Sequence, residues 1–236
     1  MDHVQPQIAT LKYEDLASLI EYPLLSTNLS ETDVAQGCEL ARKYQVASVI
    51  VRPSDVDLAV RWMAGSGVVL GTIVDWPHGF SSPSVKNFAV RDMLRRGVKE
   101  IDTVMNTGKL ISRQFQYVEM ELLQMVEACH EAGAILKVAI ESEYLDDERK
   151  ILACRICRRA GVDFIATPAL PDLPLLKEYA KDRFHLKGAV PAASLEDALL
   201  WRDAGCTRLE TSHTAAILDA WKARIQAATE AAAVIS

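Results

Sequence analysis

Apolar and polar positions along the chain alternate between two patterns. Short β-branched runs read as buried strands, and the stretches between them repeat apolar residues at helical spacing. Strands are predicted at 21–25, 47–51, 68–75, 97–106, 135–141, 164–167, 185–190 and 208–212. A short helix is predicted at 13–20. Longer ones follow at 29–44, from Ser54 to Gly65, from Ser82 to Gly97, and at about 114–131, 146–160, 172–180 and 194–204, with a last from Thr214 to the alanine-rich end. Ser82-Pro83 predicts an N-cap followed by proline at the first helical position, and Ser194 with Asp197 three residues on predicts a capped start.

Four units share one grammar: Arg96-Gly97-Val98, Ala132-Gly133-Ala134, Ala160-Gly161-Val162 and Ala204-Gly205-Cys206 each close a helix and open an apolar strand. The glycine spacings of 36 and 28 residues match one strand–helix unit each, and the following 44 spans two short ones. Eight strands alternating with eight helices predict a single-domain (β/α)8 barrel over residues 1–236, with a short helical extension at about 1–20. The runner-up is a doubly wound sheet, but no Gly-x-Gly-x-x-Gly follows any strand.

Composition narrows this further. A net charge of −6 argues against partnership with nucleic acid or an anionic membrane, because both need concentrated Lys and Arg. No apolar run approaches the ~20 residues of a spanning helix, and residues 1–6 lack a signal-peptide plan, so a cytoplasmic location is expected. The five cysteines are scattered, and Cys154-Arg155-Ile156-Cys157 lies in a helical pattern with no second pair to complete a zinc site. No metal or cofactor is expected.

One stretch breaks the strand pattern. Asp102 sits inside the apolar run 97–106, where an uncompensated polar group costs roughly 2–7 kcal/mol. In a barrel, polar groups inside or at the carboxyl ends of strands face the active site. That rule collects Arg52, Asp75, His78, Asp102, Asn106, Lys137, Glu141, Thr167, Lys187, Glu210, Ser212 and His213. Asp102, Lys137 and Lys187 are the ionisable groups within otherwise apolar strands. A structural ion pair accounts for such residues individually. Two lysines facing one acid, however, leave surplus positive charge, which predicts an amine pKa lowered toward neutrality and hence a nucleophile for carbonyl compounds.

The residues Thr72-Ile73-Val74-Asp75-Trp76-Pro77-His78-Gly79 with Val85-Lys86, Glu100-Ile101-Asp102-Thr103-Val104-Met105-Asn106-Thr107-Gly108, Leu136-Lys137-Val138-Ala139-Ile140-Glu141, and Ser194-Leu195-Glu196-Asp197-Ala198-Leu199 with Ala204-Gly205-Cys206-Thr207-Arg208 resemble 2-deoxyribose-5-phosphate aldolase, a class I aldolase on a (β/α)8 barrel. The resemblance runs through most of the chain. It implies that Asp102 is the proton-shuttling aspartate, Lys187 the second, pKa-perturbing lysine and Lys137 a further active-site lysine. It also exposes departures. The family's Schiff-base lysine falls on Ala166, and the phosphate-cradling Lys-Ala-Ser-Gly-Gly reads Lys187-Gly188-Ala189-Val190-Pro191, in which Pro191 lacks an amide donor. The last strand's Gly-Thr-Ser-Ser-Gly reads Glu210-Thr211-Ser212-His213-Thr214, and the first strand's Asp-His-Thr-Leu-Leu-Lys-Pro reads Glu21-Tyr22-Pro23-Leu24-Leu25-Ser26-Thr27.

Standard deoxyribose-phosphate aldolase activity is therefore not expected. The leading reading is an aldolase-like carbon–carbon lyase on a small, unphosphorylated carbonyl substrate, with a Schiff base on Lys187 or Lys137 and acid/base work by Asp102. Asn106, Glu141, Thr167, Glu210, Ser212 and His78 are the candidate substrate-binding residues, and a homodimer is the expected assembly. The alternatives are non-covalent acid/base catalysis on the same barrel, as in an isomerase, dehydratase or cyclase, and a non-catalytic homologue.

Overall fold

The computed structural model describes residues 12–189 and 192–235. Eight parallel strands pair in sequence order and close on themselves. They are β1 (Ile20–Leu24), β2 (Ser48–Val51), β3 (Val69–Val74), β4 (Glu100–Val104), β5 (Ile135–Ala139), β6 (Phe164–Thr167), β7 (His185–Gly188) and β8 (Arg208–Glu210). The helices that cover them are α1 (Tyr13–Ala17), α2 (Glu31–Tyr44), α3 (Val56–Met63), α4 (Pro83–Arg95), α5 (Thr107–Ile111), α6 (Phe115–Glu131), α7 (Asp147–Ala160), α8 (Leu173–Ala180), α9 (Leu195–Asp203) and α10 (Thr214–Ile235). The molecule is a single-domain (β/α)8 barrel. Of the expected N-terminal extension, α1 is described, and residues 1–11 lie outside the described residues.

Local chemistry sets the element ends. Ser30 and Asp33 cap α2 reciprocally, and the hydroxyl of Ser194 accepts from Asp197 N at the start of α9, as its sequence predicts. The four helix-stopping glycines all have positive φ. Ser82 precedes Pro83 as expected, but its hydroxyl makes no cap and lies 3.2 Å from that of Ser84. Ser54 does not open a helix either. Pro53–Asp55 form a 3-10 turn before α3, because Arg52 draws Asp55 back onto itself at 2.6 Å. Helix α5 has no counterpart among the predicted elements.

The strands' outward residues and the helices' inner faces form one apolar layer around the barrel, from Leu16 and Val34 through Leu122, Met125 and Ile165 to Trp221. Cys154 and Cys157 belong to it. Burial pushes the Cys154 thiol up to about 12 and raises that of Cys157 well above its ordinary value, which suits packing rather than redox chemistry. No helix among the described residues is long and apolar enough to cross a membrane.

Candidate active site

Strand alternation puts Glu100 and Asp102 of β4 on one face, and the register sets Asp102 opposite Lys137 of β5. Two strands on, Lys187 of β7 lies in register with Ala166 of β6. Inside the barrel, Lys137 Nζ lies 2.6 Å from Glu21 Oε1, 2.7 Å from Glu100 Oε2 and 3.0 Å from Asp102 Oδ1. Lys187 Nζ lies 2.5 Å from Asp102 Oδ2, 2.5 Å from Glu21 Oε2 and 3.4 Å from Glu210 Oε2. Arg208 stands 3.6 Å from Glu21 and 3.7 Å from Glu100. Glu21, Glu100, Asp102, Lys137 and Lys187 are all buried. Burying so many charges is tolerable only because each ion has a close partner.

The electrostatics reverse the sequence expectation for the lysines. Four carboxylates face two ammonium groups and one guanidinium, so the surplus charge is negative. Burial disfavours a charged amine, yet Asp102, Glu21 and Glu210 hold the Lys187 pKa well above its ordinary value. Lys137 is raised in the same way by Asp102, Glu21 and Glu100. Burial would raise the Glu21 carboxyl too, but the two ammonium groups override it and hold it at about 2. Glu210, at the carboxyl end of β8 and paired with Lys187, goes the other way: burial, with the nearby Asp102 and Glu21 carboxylates, outweighs Lys187 and lifts its pKa.

A slit opens onto this cluster. Asp102, Lys137 and Lys187 line it with Thr103, Ala139, Ala166 and Ala189, and Trp76 of the β3–α4 segment completes the lining. It encloses about 190 Å3 between atoms and is too narrow for a free water. The three alanines leave a shelf beside the ionic groups, with Ala139, Ala166 and Lys187 aligned across three strands.

The other expected residues are arranged differently. Glu210 joins the cluster. Asn106 caps α5, its Oδ1 accepting from Lys109 N at 3.1 Å. Thr167 is fully buried, accepts from Ala169 N and sits 3.3 Å from Ser142 Oγ. His78 is exposed and stacks on Phe80, with ring centroids 5.2 Å apart, outside the slit. Ser212 is exposed, and Glu141 is partly buried at the end of β5. Arg52 is held by Asp55 and the carbonyls of Ser26, Thr27 and Leu29. The expected loss of a donor at Pro191 concerns a position outside the described residues. Among the described residues no three His, Cys, Asp or Glu side chains form a metal-binding group.

Sequence reasoning missed three members of the cluster, Glu21, Glu100 and Arg208. Glu100 carried a usable signal, since it stands two residues before Asp102 and so shares its face. Glu21 had only its place in a short strand of uncertain bounds.

No protein-family model matches the chain. Among curated proteins, the deoxyribose-phosphate aldolase of Bacteroides thetaiotaomicron is 34% identical over 228 residues, covering 93% of this chain and 96% of that protein. That of Treponema denticola is 33% identical over 212 residues, covering 86% and 98%. Among solved structures, the deoxyribose phosphate aldolase of Aeropyrum pernix, described as a unique tetramer, superposes with a TM-score of 0.82 at 27% identity, covering 89% of this chain and 92% of that one. An aldolase designated QR15 gives 0.82 at 28% identity over 89% and 97%. Near-complete coverage at this identity, on the same closed barrel, makes the chain a member of the deoxyribose-phosphate aldolase family.

Proposed function

We propose that the chain is an aldolase-like carbon–carbon lyase that works through an enolate held by the Lys187 ammonium, without a covalent amine adduct. The observation that carries this reading is the carboxylate cage. An amine attacks a carbonyl only when neutral, and every pKa unit by which Glu21, Asp102 and Glu210 raise Lys187 adds about 1.4 kcal/mol to reaching that form. A caged ammonium serves instead as a hydrogen-bond donor to an oxygen that gains charge.

In the proposed reaction a small β-hydroxy carbonyl compound places its carbonyl oxygen at Lys187 Nζ. Asp102 accepts the hydroxyl proton, the bond between the α and β carbons breaks to release an aldehyde, and the electron pair moves onto the carbonyl oxygen as an enolate hydrogen-bonded to Lys187. Return of the proton from Asp102 to the α carbon gives the second carbonyl product. Run on a single carbonyl compound, the same groups exchange its α protons. The alanine shelf supplies no amine where the family resemblance puts the Schiff-base lysine, at Ala166.

We further propose that the substrate lacks phosphate. Arg52 is spent on Asp55 and three carbonyl oxygens, Lys150 on Asp172 at 2.7 Å, and Glu210 presents negative charge at the carboxyl end of β8. A phosphate dianion placed there meets repulsion rather than a donor set.

The narrow slit favours a second reading, a family member that has lost catalysis. Deuterium incorporation decides between the two. In D2O, α-proton exchange into a panel of two- to four-carbon hydroxyaldehydes and hydroxyketones is followed by NMR, for the native chain and Asp102→Asn. Exchange that disappears with Asp102→Asn supports catalysis. Absence of exchange across the panel supports the non-catalytic reading.

A further inference from the structure

Lys86 is completely buried on α4, outside the barrel cluster, and a lysine without solvent needs an account. Its ammonium donates to Gly79 O at 2.6 Å and to Glu121 Oε1 of α6 at 2.8 Å. It also approaches Asp75 Oδ2 at 3.2 Å and Val104 O, at the end of β4, at 3.4 Å. Two of these partners, Asp75 and Gly79, belong to the segment that carries Trp76.

That segment is held in an uncommon conformation. Asp75 has a φ of 56°, a left-handed value that costs a non-glycine residue about 1–3 kcal/mol. Its carboxylate accepts from Ser81 N at 2.9 Å and Ser81 Oγ at 2.6 Å. Gly79 has a φ of 68° and runs so close to β4 that a Cβ there would stand 2.4 Å from Val104 O. The segment is thus pressed onto the strand that carries Asp102, and Lys86 bridges the two from beneath.

We propose that Lys86 is a positioning residue for the active site: its ammonium fastens residues 75–81 to the end of β4, so that Trp76 is held in the wall of the slit that Asp102 and Lys187 also line. The proposal rests on the site assignment above but not on the reaction assigned to it. Lys86 touches neither the slit nor its ionic groups, and it acts on the indole through Asp75, the residue before Trp76, and Gly79, three residues after it.

The test reads Trp76 directly, without substrate. The chain is labelled with 5-fluorotryptophan, and its Trp76 resonance is assigned by its loss in Trp76→Phe; Trp62, Trp201 and Trp221 report folding. Lys86→Met removes the fastening ammonium, and Asp75→Asn weakens the same link while keeping an acceptor for Ser81. The expected result is a Trp76 resonance displaced by more than its linewidth, with an H2O/D2O isotope shift near that of free tryptophan, while the other three stay in place. A Trp76 resonance unchanged in either folded variant overturns the proposal. If Lys86→Met does not fold, Asp75→Asn decides alone. Because no turnover is measured, a failure of the lyase reading leaves this result interpretable.

Discussion

Lys187 and Lys86 are buried ammonium groups in the same barrel, and their surroundings differ in kind. Lys86 is bound by two backbone carbonyls, Glu121 and Asp75, none of which lines the alanine slit. Lys187 is bound by the carboxylates Asp102, Glu21 and Glu210, and it lines the alanine slit. A carbonyl partner within packed backbone cannot be exchanged without moving the chain. A carboxylate beside a cavity can yield one hydrogen bond to an incoming oxygen. Burial alone therefore does not mark a functional lysine; a replaceable carboxylate partner in the lining of the slit does.

The largest effect expected from this contrast is on chemistry. Asp102→Asn should lower α-proton exchange about 10²–10⁴-fold, the usual contribution of a positioned general base, whereas Glu121→Gln beside Lys86 should change it by less than tenfold. Equal losses in the two variants would erase the distinction.

Stability comes next. Glu21 binds both barrel lysines, and Glu21→Gln should cost about 3–5 kcal/mol in urea unfolding at neutral pH by leaving them under-compensated. The native carboxyl is held at about 2 against an ordinary 4.5, so its contribution is complete above pH 4.5 and is lost as pH falls from there toward 2. Unfolding at stepped pH should show that loss in the native chain, at about 3 kcal/mol, and a clearly smaller one in Glu21→Gln.

A smaller effect tests the charge at the mouth. Glu210→Gln should reduce the preference for unphosphorylated over phosphorylated carbonyl compounds about tenfold, or 1.4 kcal/mol, as measured by paired exchange rates. The smallest belongs to His78. Exposed and stacked on Phe80, it should tolerate alanine with less than about 0.5 kcal/mol change in stability and no loss of exchange.

The barrel was legible in the chain because each unit repeats a strong local signal, a glycine that stops a helix followed by a β-branched strand. Asp102, Lys137 and Lys187 were legible for a related reason, as charges interrupting apolar strands. Their protonation was not. It depends on Glu21 and Glu100, and the first of these meets Lys137 across 116 residues of sequence, a contact that barrel closure alone creates. Asn106 and Thr167 were legible only as polar residues at strand ends. Polar residues at strand ends also cap helices and tie turns, and position alone does not separate those duties from substrate binding. Lys86 was visible within a family-like motif, but its partners Asp75, Gly79 and Glu121 come from three separate segments.

The central claim is that Lys187 acts as an ammonium. It is tested most directly by borohydride reduction during exchange, read by intact mass and peptide mapping. With a carbonyl compound whose α protons are exchanging, the account predicts an unchanged protein mass. A mass increase equal to the reduced compound, mapped to Lys187 or Lys137, would contradict it and assign a covalent Schiff base instead.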